Sequence, residues 1–463
     1  MLGSDTPELD EEGFCRAKSL LSKLIGLPSL KREFEGQEPS CSQRVYAQAP
    51  TLWLLVMQRL GGGLSLEQAV KDLINNNRDL LPDNRRTSEG GLSENNSAYS
   101  AARKRLPLEV IERFSRRICD HLAKRAEPVF EDHRVFILDG TTITLPPTPE
   151  LKKAFPPTPN QYGESVWPVA MLLVAHEMQT GCAMVPQIDP MFGPNNSSES
   201  KQAERAIGQL PNNSVVMADS GFGIFSVAHS CQRHGKNFLF RLTKQRYKSH
   251  RKKAKLVQEG RGFRTEHMIW KPSAKERRNN AEIPADAAIE AFVHQIDLED
   301  GQTLELITDL EFDALSVGEL YRRRYDIEFD IRDLKVTMDT ENIRAKSVDT
   351  VMKELMGSVI AYNLVAQLRK QAAKLINLAP RRLSFQGVWT TFKWDLLFKD
   401  FPTAAEANLA YQRALISAAG RKLPDRKGRS YPRVAHTRRQ KSTKFQRQQR
   451  KLAADQRDKS PPD

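Results

Sequence analysis

The spacing of apolar residues separates a helical first part of the chain from a later part that is richer in strands. Up to about residue 130, apolar residues recur every three or four positions, which is typical of amphipathic helices. Such helices are predicted over residues 14–25, 51–59, 65–73 and 107–124. A polar stretch rich in Gly, Asn and Ser at residues 75–96 separates the last two helices, and it predicts a loop.

From Val135 onward, the apolar residues come in short runs that predict β-strands. Residues 135–138 and 141–145 flank Asp139-Gly140, a common turn pair, and are expected to form a hairpin. Further strands are predicted over residues 166–176, 183–188, 214–218, 237–242, 289–296 and 304–307. Helices are predicted over residues 198–210, 227–234, 319–338 and 351–373. This mixture of strands and helices predicts an α/β fold.

Bulk composition argues against a membrane protein and against a disulfide scaffold. The chain has 463 residues, a mean hydropathy of −0.54 and no apolar stretch long enough to span a bilayer. Its acidic first residues lack the apolar segment of a secretion signal. The five cysteines are scattered without paired spacing, which indicates free thiols in a reducing compartment. We therefore expect a cytoplasmic protein of several domains with no membrane partner.

The positive charge is concentrated in two stretches of the chain, whose formal net charge is +14. Residues 241–280 contain 14 Lys and Arg against 3 Glu, and residues 421–463 contain 15 against 4 Asp. Basic patches on an otherwise acidic protein favour a polyanionic partner, nucleic acid first. A solvated face and a solubilising tail would produce the same pattern, so charge alone leaves both interpretations open.

Four residues of mixed chemistry are expected on one face of the predicted helix 319–338. Tyr321, Arg324, Glu328 and Lys335 lie within about 60° of one another on a helix that turns 100° per residue. One row then carries a phenol, a guanidinium, a carboxylate and an ammonium. Such a row suits a site in which the glutamate binds a metal ion and the other three side chains hold phosphates.

Two aspartates follow predicted strands and complete a candidate carboxylate cluster with Glu328. Asp139 follows residues 135–138, and Asp219 follows residues 214–218. Carboxylates at the carboxyl ends of adjacent strands lie in a shared crevice, and a helix packed on the sheet can supply the third. Three carboxylates need cations, and an oxygen-only ligand set favours Mg²⁺ or Mn²⁺. Two such ions support phosphoryl transfer.

Each member of this cluster also has an ordinary structural interpretation. Asp139 and Asp219 both stand in common turn sequences, and Glu328 alone is compatible with an exposed helix acid. Asp309 follows another predicted strand and competes for a place in the cluster. The order of two strand aspartates and then a helical glutamate is what favours a functional site.

The spacing within the helical row resembles a known family motif. The gaps between Tyr321, Arg324, Glu328 and Lys335 are two, three and six residues. They match the Tyr-Arg-Glu-Lys motif of the DDE transposases of bacterial insertion sequences, in the large family numbered four. Residues 137–142 and 218–223 around the two aspartates, and residues 361–369 after the helix, also resemble this family. The resemblance covers roughly residues 134–374.

The resemblance implies an RNase H-like catalytic core that is interrupted by a β-rich insertion. It implies a helical domain for binding DNA ends at 1–130, core segments at 131–242 and 313–375, a basic insertion at 243–312, and a C-terminal region with a basic, partly disordered tail at 376–463. The insertion contains Trp270 and Tyr247, whose rings are candidates for stacking on an unpaired base. Core packing is the favoured interpretation for Trp270.

The resemblance also implies a role for each candidate residue. Two Mg²⁺ or Mn²⁺ ions would be bound by the three catalytic carboxylates, Asp139, Asp219 and Glu328. DNA phosphates near the cleavage point would be contacted by the other members of the helical row, Tyr321, Arg324 and Lys335.

The activity implied is that of an insertion-sequence transposase acting on double-stranded DNA in the bacterial nucleoid. It would cut the element ends and join them to target DNA. Because two ends must be paired, a homodimer is expected. The helix 351–373 is a candidate interface, and simple packing on the core is its ordinary alternative. Two alternatives stay open: an RNase H-like nuclease that cuts without joining, and a catalytically silent DNA-binding derivative. The three intact carboxylates argue against the silent derivative.

Overall fold

The computed structural model describes most of the chain between residues 44 and 424. The described residues are 44–76, 81, 84–88, 91–160, 163–280, 282–299, 301–399, 401 and 403–424. The predicted helix 14–25 and nearly all of the basic tail therefore lie outside the described residues.

Five helices make up the described start of the chain. They are α1 (Gln48–Leu60), α2 (Leu66–Asn76), α3 (Arg85–Ser88), α4 (Ser97–Arg105) and α5 (Leu108–Lys124). The helices predicted at 51–59, 65–73 and 107–124 are confirmed, with small shifts at their ends. The helix α4 has no apolar repeat that would predict it, because only Tyr99 and Ala102 of its 9 residues are buried.

One mixed sheet runs through the described part of the chain. Its ten strands are β1 (Arg134–Thr144), β2 (Pro157–Asn160), β3 (Gly163–Glu177), β4 (Gln187–Pro190), β5 (Ser214–Ala218), β6 (Asn237–Arg241), β7 (Lys255–Gly260), β8 (Phe263–Trp270), β9 (Ile289–Asp297) and β10 (Thr303–Thr308). The order is β2-β3-β1-β5-β6-β10-β9-β8-β7, and β4 pairs with β3. β3 is antiparallel to β1 and β4, whereas β5 is parallel to β1 and β6. The four strands after β6 extend the same sheet.

Two strand predictions are wrong in detail. The expected hairpin at Asp139-Gly140 does not form, because β1 continues through this pair and β3 is long enough to bond to it on both sides. Long-range pairing therefore overrides the local turn signal. The strand predicted at 183–188 begins only at Gln187 as β4. Pro186, directly before it, has no N–H to donate to a neighbouring strand.

Ten further described helices lie between the strands and after the sheet. They are α6 (Pro149–Ala154), α7 (Glu199–Gly208), α8 (Phe225–Arg233), α9 (Lys244–Arg251), α10 (Ala274–Asn279), α11 (Ala314–Arg322), α12 (Asp326–Arg332), α13 (Val348–Leu375), α14 (Phe385–Phe392) and α15 (Ala404–Ala419). The predicted helix 319–338 is a helical run in which a 3₁₀ turn, Arg323–Tyr325, joins α11 to α12 and a π-helical segment, Asp333–Thr337, follows. Of the helices described, none combines the length and the hydrophobicity that a bilayer crossing requires.

The helix α13 is the central helix of the molecule rather than a surface element. It starts after Ser347, whose hydroxyl oxygen accepts a hydrogen bond from the N–H of Thr350. Most of its residues from Val351 to Ala373 are buried, since α1, α5, α14 and α15 pack around it. A helix that is buried on all sides belongs to a core. Of the two interpretations of residues 351–373, burial within the chain therefore favours core packing over a dimer interface.

Candidate active site

The pairing register of the sheet places the two predicted aspartates side by side. Parallel pairing between β1 and β5 ends at Leu138 and Ala218, and Asp139 and Asp219 are the next residues on each strand. Neighbouring strands lie about 5 Å apart, so the backbones of the two aspartates are close neighbours. The residues of β5 are all buried, which fixes this strand in the middle of the sheet.

Each aspartate is held by a backbone N–H next to it. The N–H of Gly140 donates to Asp139 Oδ1 at 2.9 Å. The N–H of Gly221 donates to Asp219 Oδ1 at 2.8 Å. These short-range bonds fix one oxygen of each carboxylate and leave the second oxygen available to a ligand.

The helix α12 brings Glu328 to the same place. α12 packs against β1 and β3. The guanidinium Nη2 of Arg324 lies 3.4 Å from Glu328 Oε1, one helical turn away. The charges of Arg324 and Glu328 both act on Asp139, which shows that the helix and the strand face each other at this point.

Burial has the largest effect on the ionisation of Asp139, ahead of the groups that surround it. Burial raises the pKa of Asp139 above its usual value, and the carboxylates of Asp219 and Glu328 raise this pKa further. The Gly140 N–H and the Arg324 guanidinium lower the pKa, but they do not cancel the rise. The site therefore has an excess of negative charge that a cation would relieve.

The other two residues of the predicted row lie in different surroundings. Tyr321 is buried, and its hydroxyl donates to the carbonyl oxygen of Ala218 at 3.3 Å. Lys335 lies in the π-helical segment, and its ammonium has no hydrogen bond or ion pair with any described residue. The structure thus brings Tyr321, Arg324 and Glu328 close to the aspartates, whereas no interaction within the described residues joins Lys335 to them.

Three further charged residues interact with parts of this site, although the sequence alone does not assign them to it. Glu199, the first residue of α7, acts electrostatically on Asp139 and Asp219. Arg246 of α9 donates from Nη1 to the carbonyl oxygen of Ser220 at 2.5 Å. Arg241, the last residue of β6, acts on the hydroxyl of Tyr321. The sequence offers the basic stretch 241–280 as a signal for the two arginines, but it contains no signal for Glu199.

The two aromatic side chains proposed for base stacking are buried. Trp270 lies 4% exposed among the rings of Phe225, Phe238 and His250. Tyr247 is also 4% exposed and is hydrogen-bonded to Gln295. The core interpretation of Trp270 is confirmed, and neither ring is accessible to a nucleic-acid base.

The competing acid, Asp309, lies at another place in the sheet. Its Oδ1 accepts the N–H of Phe238 at 2.9 Å, near the start of β6. Asp219 follows the far end of β5, which runs parallel to β6. Burial raises the pKa of Asp309 to about 6. Asp309 therefore supports the junction of β6 and β10 and does not join the carboxylate cluster.

The carboxylates do not form a closed metal cage in their present positions. Across the described ranges, no three acidic, histidine or cysteine side chains stand close enough together to hold a metal ion. Asp139, Asp219 and Glu328 instead repel one another at longer range. Carboxylates that face one another without a cation are electrostatically unfavourable.

A family model described as transposase DDE domain matches residues 130–364. This match covers half of the chain and includes all six residues predicted for the site. The chain therefore belongs to the transposase DDE domain family. The prediction of an insertion-sequence DNA transposase is confirmed by this match and by the relative described next.

One similar curated protein is the transposase InsG for insertion sequence element IS4 of Escherichia coli (strain K12). The two are 24% identical over 398 residues, which cover 84% of this chain and 85% of the relative. Among solved structures, the chain is similar to the piggyBac transposase synaptic complex with hairpin DNA, at 10% identity and a TM-score of 0.38. That similarity covers 89% of this chain and 84% of the other. At this TM-score, it supports no inference about fold or function.

Proposed function

We propose that this transposase cuts double-stranded DNA at the ends of its element and joins the ends to target DNA. The observation that carries the proposal is the register of β1 and β5, which sets Asp139 and Asp219 side by side. Glu328 faces them from α12, with Arg324 as a neighbouring cation. Three carboxylates and a guanidinium beside the carboxyl end of β5 suit phosphoryl transfer.

The donor chemistry fits two divalent ions, Mg²⁺ or Mn²⁺. Asp139, Asp219 and Glu328 would hold them through carboxylate oxygens, the ligands that these hard cations prefer. When bound, two such ions supply activation of the attacking oxygen and stabilisation of the leaving oxygen. The protein's own part is to hold the carboxylates at fixed positions on β1, β5 and α12.

The cationic and phenolic side chains of the row are proposed to hold DNA phosphates. Arg324 borders the carboxylates, so a phosphate beside them would lie within its reach. Lys335 has an ammonium that no described residue engages, which suits a phosphate contact at the margin of the site. Tyr321 would reach a phosphate only by giving up its hydrogen bond to Ala218.

The sheet supports an RNase H-like core. Strand β3 is antiparallel to both of its neighbours β1 and β4, and β5 and β6 continue from β1 in parallel. In this proposal the core comprises 131–242 and 313–375, and 243–312 is the insertion that extends the sheet. Residues 1–130 would bind element ends, and 376–463 would add sequence-independent DNA affinity through its basic tail. Two copies would pair the two ends as a homodimer.

The test is cleavage of a labelled duplex that carries the element's terminal repeats, with Mg²⁺ or Mn²⁺. Asp139→Ala and Glu328→Ala should lose cleavage by several orders of magnitude while they still bind the duplex, because phosphate contacts come from other residues. Asp309→Asn is the matched control, since this acid also follows a strand but stands outside the cluster. It should cleave like the unchanged protein.

The same assay separates the competing functions. Cuts at the repeat boundary followed by joining to a second duplex would support the transposase reaction in full. Cuts without joining would favour the nuclease, and binding without any cut would favour a silent derivative. Cleavage that survives Asp139→Ala would refute the proposed site.

A further inference from the structure

Glu199 packs directly against the backbone beside Asp139. A Cβ atom on Gly140 would lie 2.1 Å from Glu199 Oε1 and 2.8 Å from Glu199 Cγ. Any side chain larger than that of glycine at position 140 would overlap Glu199 in its present place. Ser198 caps α7 by accepting the N–H of Lys201, which holds the start of the helix and Glu199 in place.

The carboxylate of Glu199 faces other acids and lacks a cation. It is partly buried, and the negative charges of Asp139 and Asp219 act on it. No arginine, lysine or N–H group in the described ranges pairs with this carboxylate. A partly desolvated carboxylate that faces two others is unfavourable unless a cation binds nearby.

An ordinary role is also available to an acid at this position. Glu199 is in the first turn of α7, where a negative charge interacts favourably with the helix dipole. That role would be satisfied by a carboxylate directed into solvent. It does not account for the approach to Gly140, which brings the charge toward two other acids.

We propose that Glu199 is a positioning residue of the metal site, and that its charge, held against Gly140, strengthens the binding of divalent cations by Asp139 and Asp219. This inference rests on the proposed function. Glu199 adds negative potential and restricts the space beside Asp139, so it acts through the carboxylates that hold the ions. Groups that act in this way typically change metal affinity by about 10-fold to 100-fold when removed, and we expect a loss of about tenfold.

The test measures the melting temperature of the full chain, first without metal and then at increasing Mn²⁺ concentrations. The unchanged protein and Glu199→Gln are measured side by side. Without metal, Glu199→Gln should melt at a higher temperature, because a repulsive charge is removed while the shape is kept. With Mn²⁺, its melting temperature should rise less than that of the unchanged protein. In Glu199→Gln, the Mn²⁺ concentration that gives half-maximal duplex cleavage should increase about tenfold. Glu109→Gln, which changes an exposed acid in the first turn of α5, is the matched control and should move neither the Mn²⁺ shift nor the midpoint.

Two further variants separate charge from packing. Glu199→Asp keeps the charge and should retain most of the Mn²⁺ shift. Gly140→Ala keeps the charge but displaces it, since the new methyl group would overlap the Glu199 carboxylate. In the otherwise unchanged protein, Gly140→Ala should raise the Mn²⁺ concentration at which duplex cleavage is half-maximal. In a protein that already carries Glu199→Ala, it should have little effect on that concentration.

The outcomes distinguish this inference from the function on which it rests. If Glu199→Gln melts at the same or a lower temperature without metal and keeps the full Mn²⁺ shift, Glu199 is a helix-end acid and the inference is overturned. If the unchanged protein and Asp139→Ala show the same Mn²⁺ shift, the proposed metal site itself fails. A Mn²⁺ shift that is lost in Asp139→Ala and reduced in Glu199→Gln supports both.

Discussion

At the scale of single residues, Tyr321 connects the helical run to the strand that carries Asp219. Its hydroxyl donates to the carbonyl of Ala218, the residue before Asp219, and its ring is buried beneath the site. The resemblance to the family motif predicts a phosphate contact for Tyr321, whereas the structure shows a hydrogen bond to the backbone. Removal of the Tyr321 hydroxyl should lower stability if the backbone bond matters, and it should weaken DNA binding if the phosphate contact matters.

Tyr321→Phe removes this hydrogen bond and leaves the Ala218 carbonyl without that donor. We expect the free energy of unfolding to fall by about 1 kcal/mol, the usual net value of one hydrogen bond. Cleavage should fall with it, because Asp219 follows Ala218 directly. Denaturant unfolding and the duplex assay measure the two effects. Unchanged stability with weaker DNA binding would instead favour the phosphate contact.

At the scale of elements, α12 is anchored by a buried ionic network on the side away from Glu328. Asp330 is fully buried and lies 2.6 Å from Arg381 Nη2 and 3.5 Å from Arg369 Nη2. Burial is the largest single influence and would raise the pKa of Asp330. The charge and hydrogen bond of Arg381, with the charges of His176 and Arg369, together outweigh burial and hold this pKa below its usual value. Gly181, at a φ of +76°, makes room for the network, because a Cβ atom there would be 2.6 Å from Arg369 Nη2.

Arg381→Met leaves the carboxylate of Asp330 with a weaker counter-charge in the core. We expect the free energy of unfolding to fall by about 3–5 kcal/mol, as for other buried ion pairs that lose one partner. The double variant Asp330→Asn with Arg381→Met should lose less free energy of unfolding than the sum of the losses in the two single variants. Denaturant unfolding of the three variants measures the coupling. Arg322→Met, which breaks the exposed pair with Glu319, is the control and should change little.

The elements also show where sequence patterns succeed and where they fail. The strand β5 and the helix α5 are predicted almost to the residue. The strand is buried along its whole length and the helix along one stripe, and both kinds of burial leave a clear apolar pattern in the sequence. The turn at Asp139 is wrong, because β3 stays paired with β1 through that point. The network of Asp330 and Arg381 has no sequence signal, since its members are 51 positions apart.

At the scale of the whole molecule, the first helices are built into the same core as the site. Glu354 of α13 lies 2.9 Å from Arg59 of α1 and also pairs with Arg103 of α4. The ammonium of Lys353 donates to the carbonyl of Arg103 at 3.1 Å. α13 also packs against α14, which links the first helices to the later part of the chain.

Glu354→Gln removes the charge that balances the buried Arg59 and the partly buried Arg103. We expect a loss of about 3–5 kcal/mol in the free energy of unfolding, with a single transition for the whole of the folded chain. Far-UV circular dichroism and tryptophan fluorescence should report the same midpoint, since Trp53 lies in α1 and Trp389 in α14. Two separate unfolding transitions, of which only the one at lower denaturant is shifted by Glu354→Gln, would mean that residues 1–130 fold as an independent domain.

The sequence by itself determined the family, most helices and strands, and the identity of the candidate residues. These properties depend on local spacing, such as the gaps in the Tyr-Arg-Glu-Lys row, or on apolar repeats within one element. Tertiary structure alone decided that Asp139 lies within a continuous strand, that α13 is buried, and that Glu199 stands against Gly140. The reason is physical: each of these depends on pairing or packing between segments that are distant in the chain, and no local pattern records such contacts.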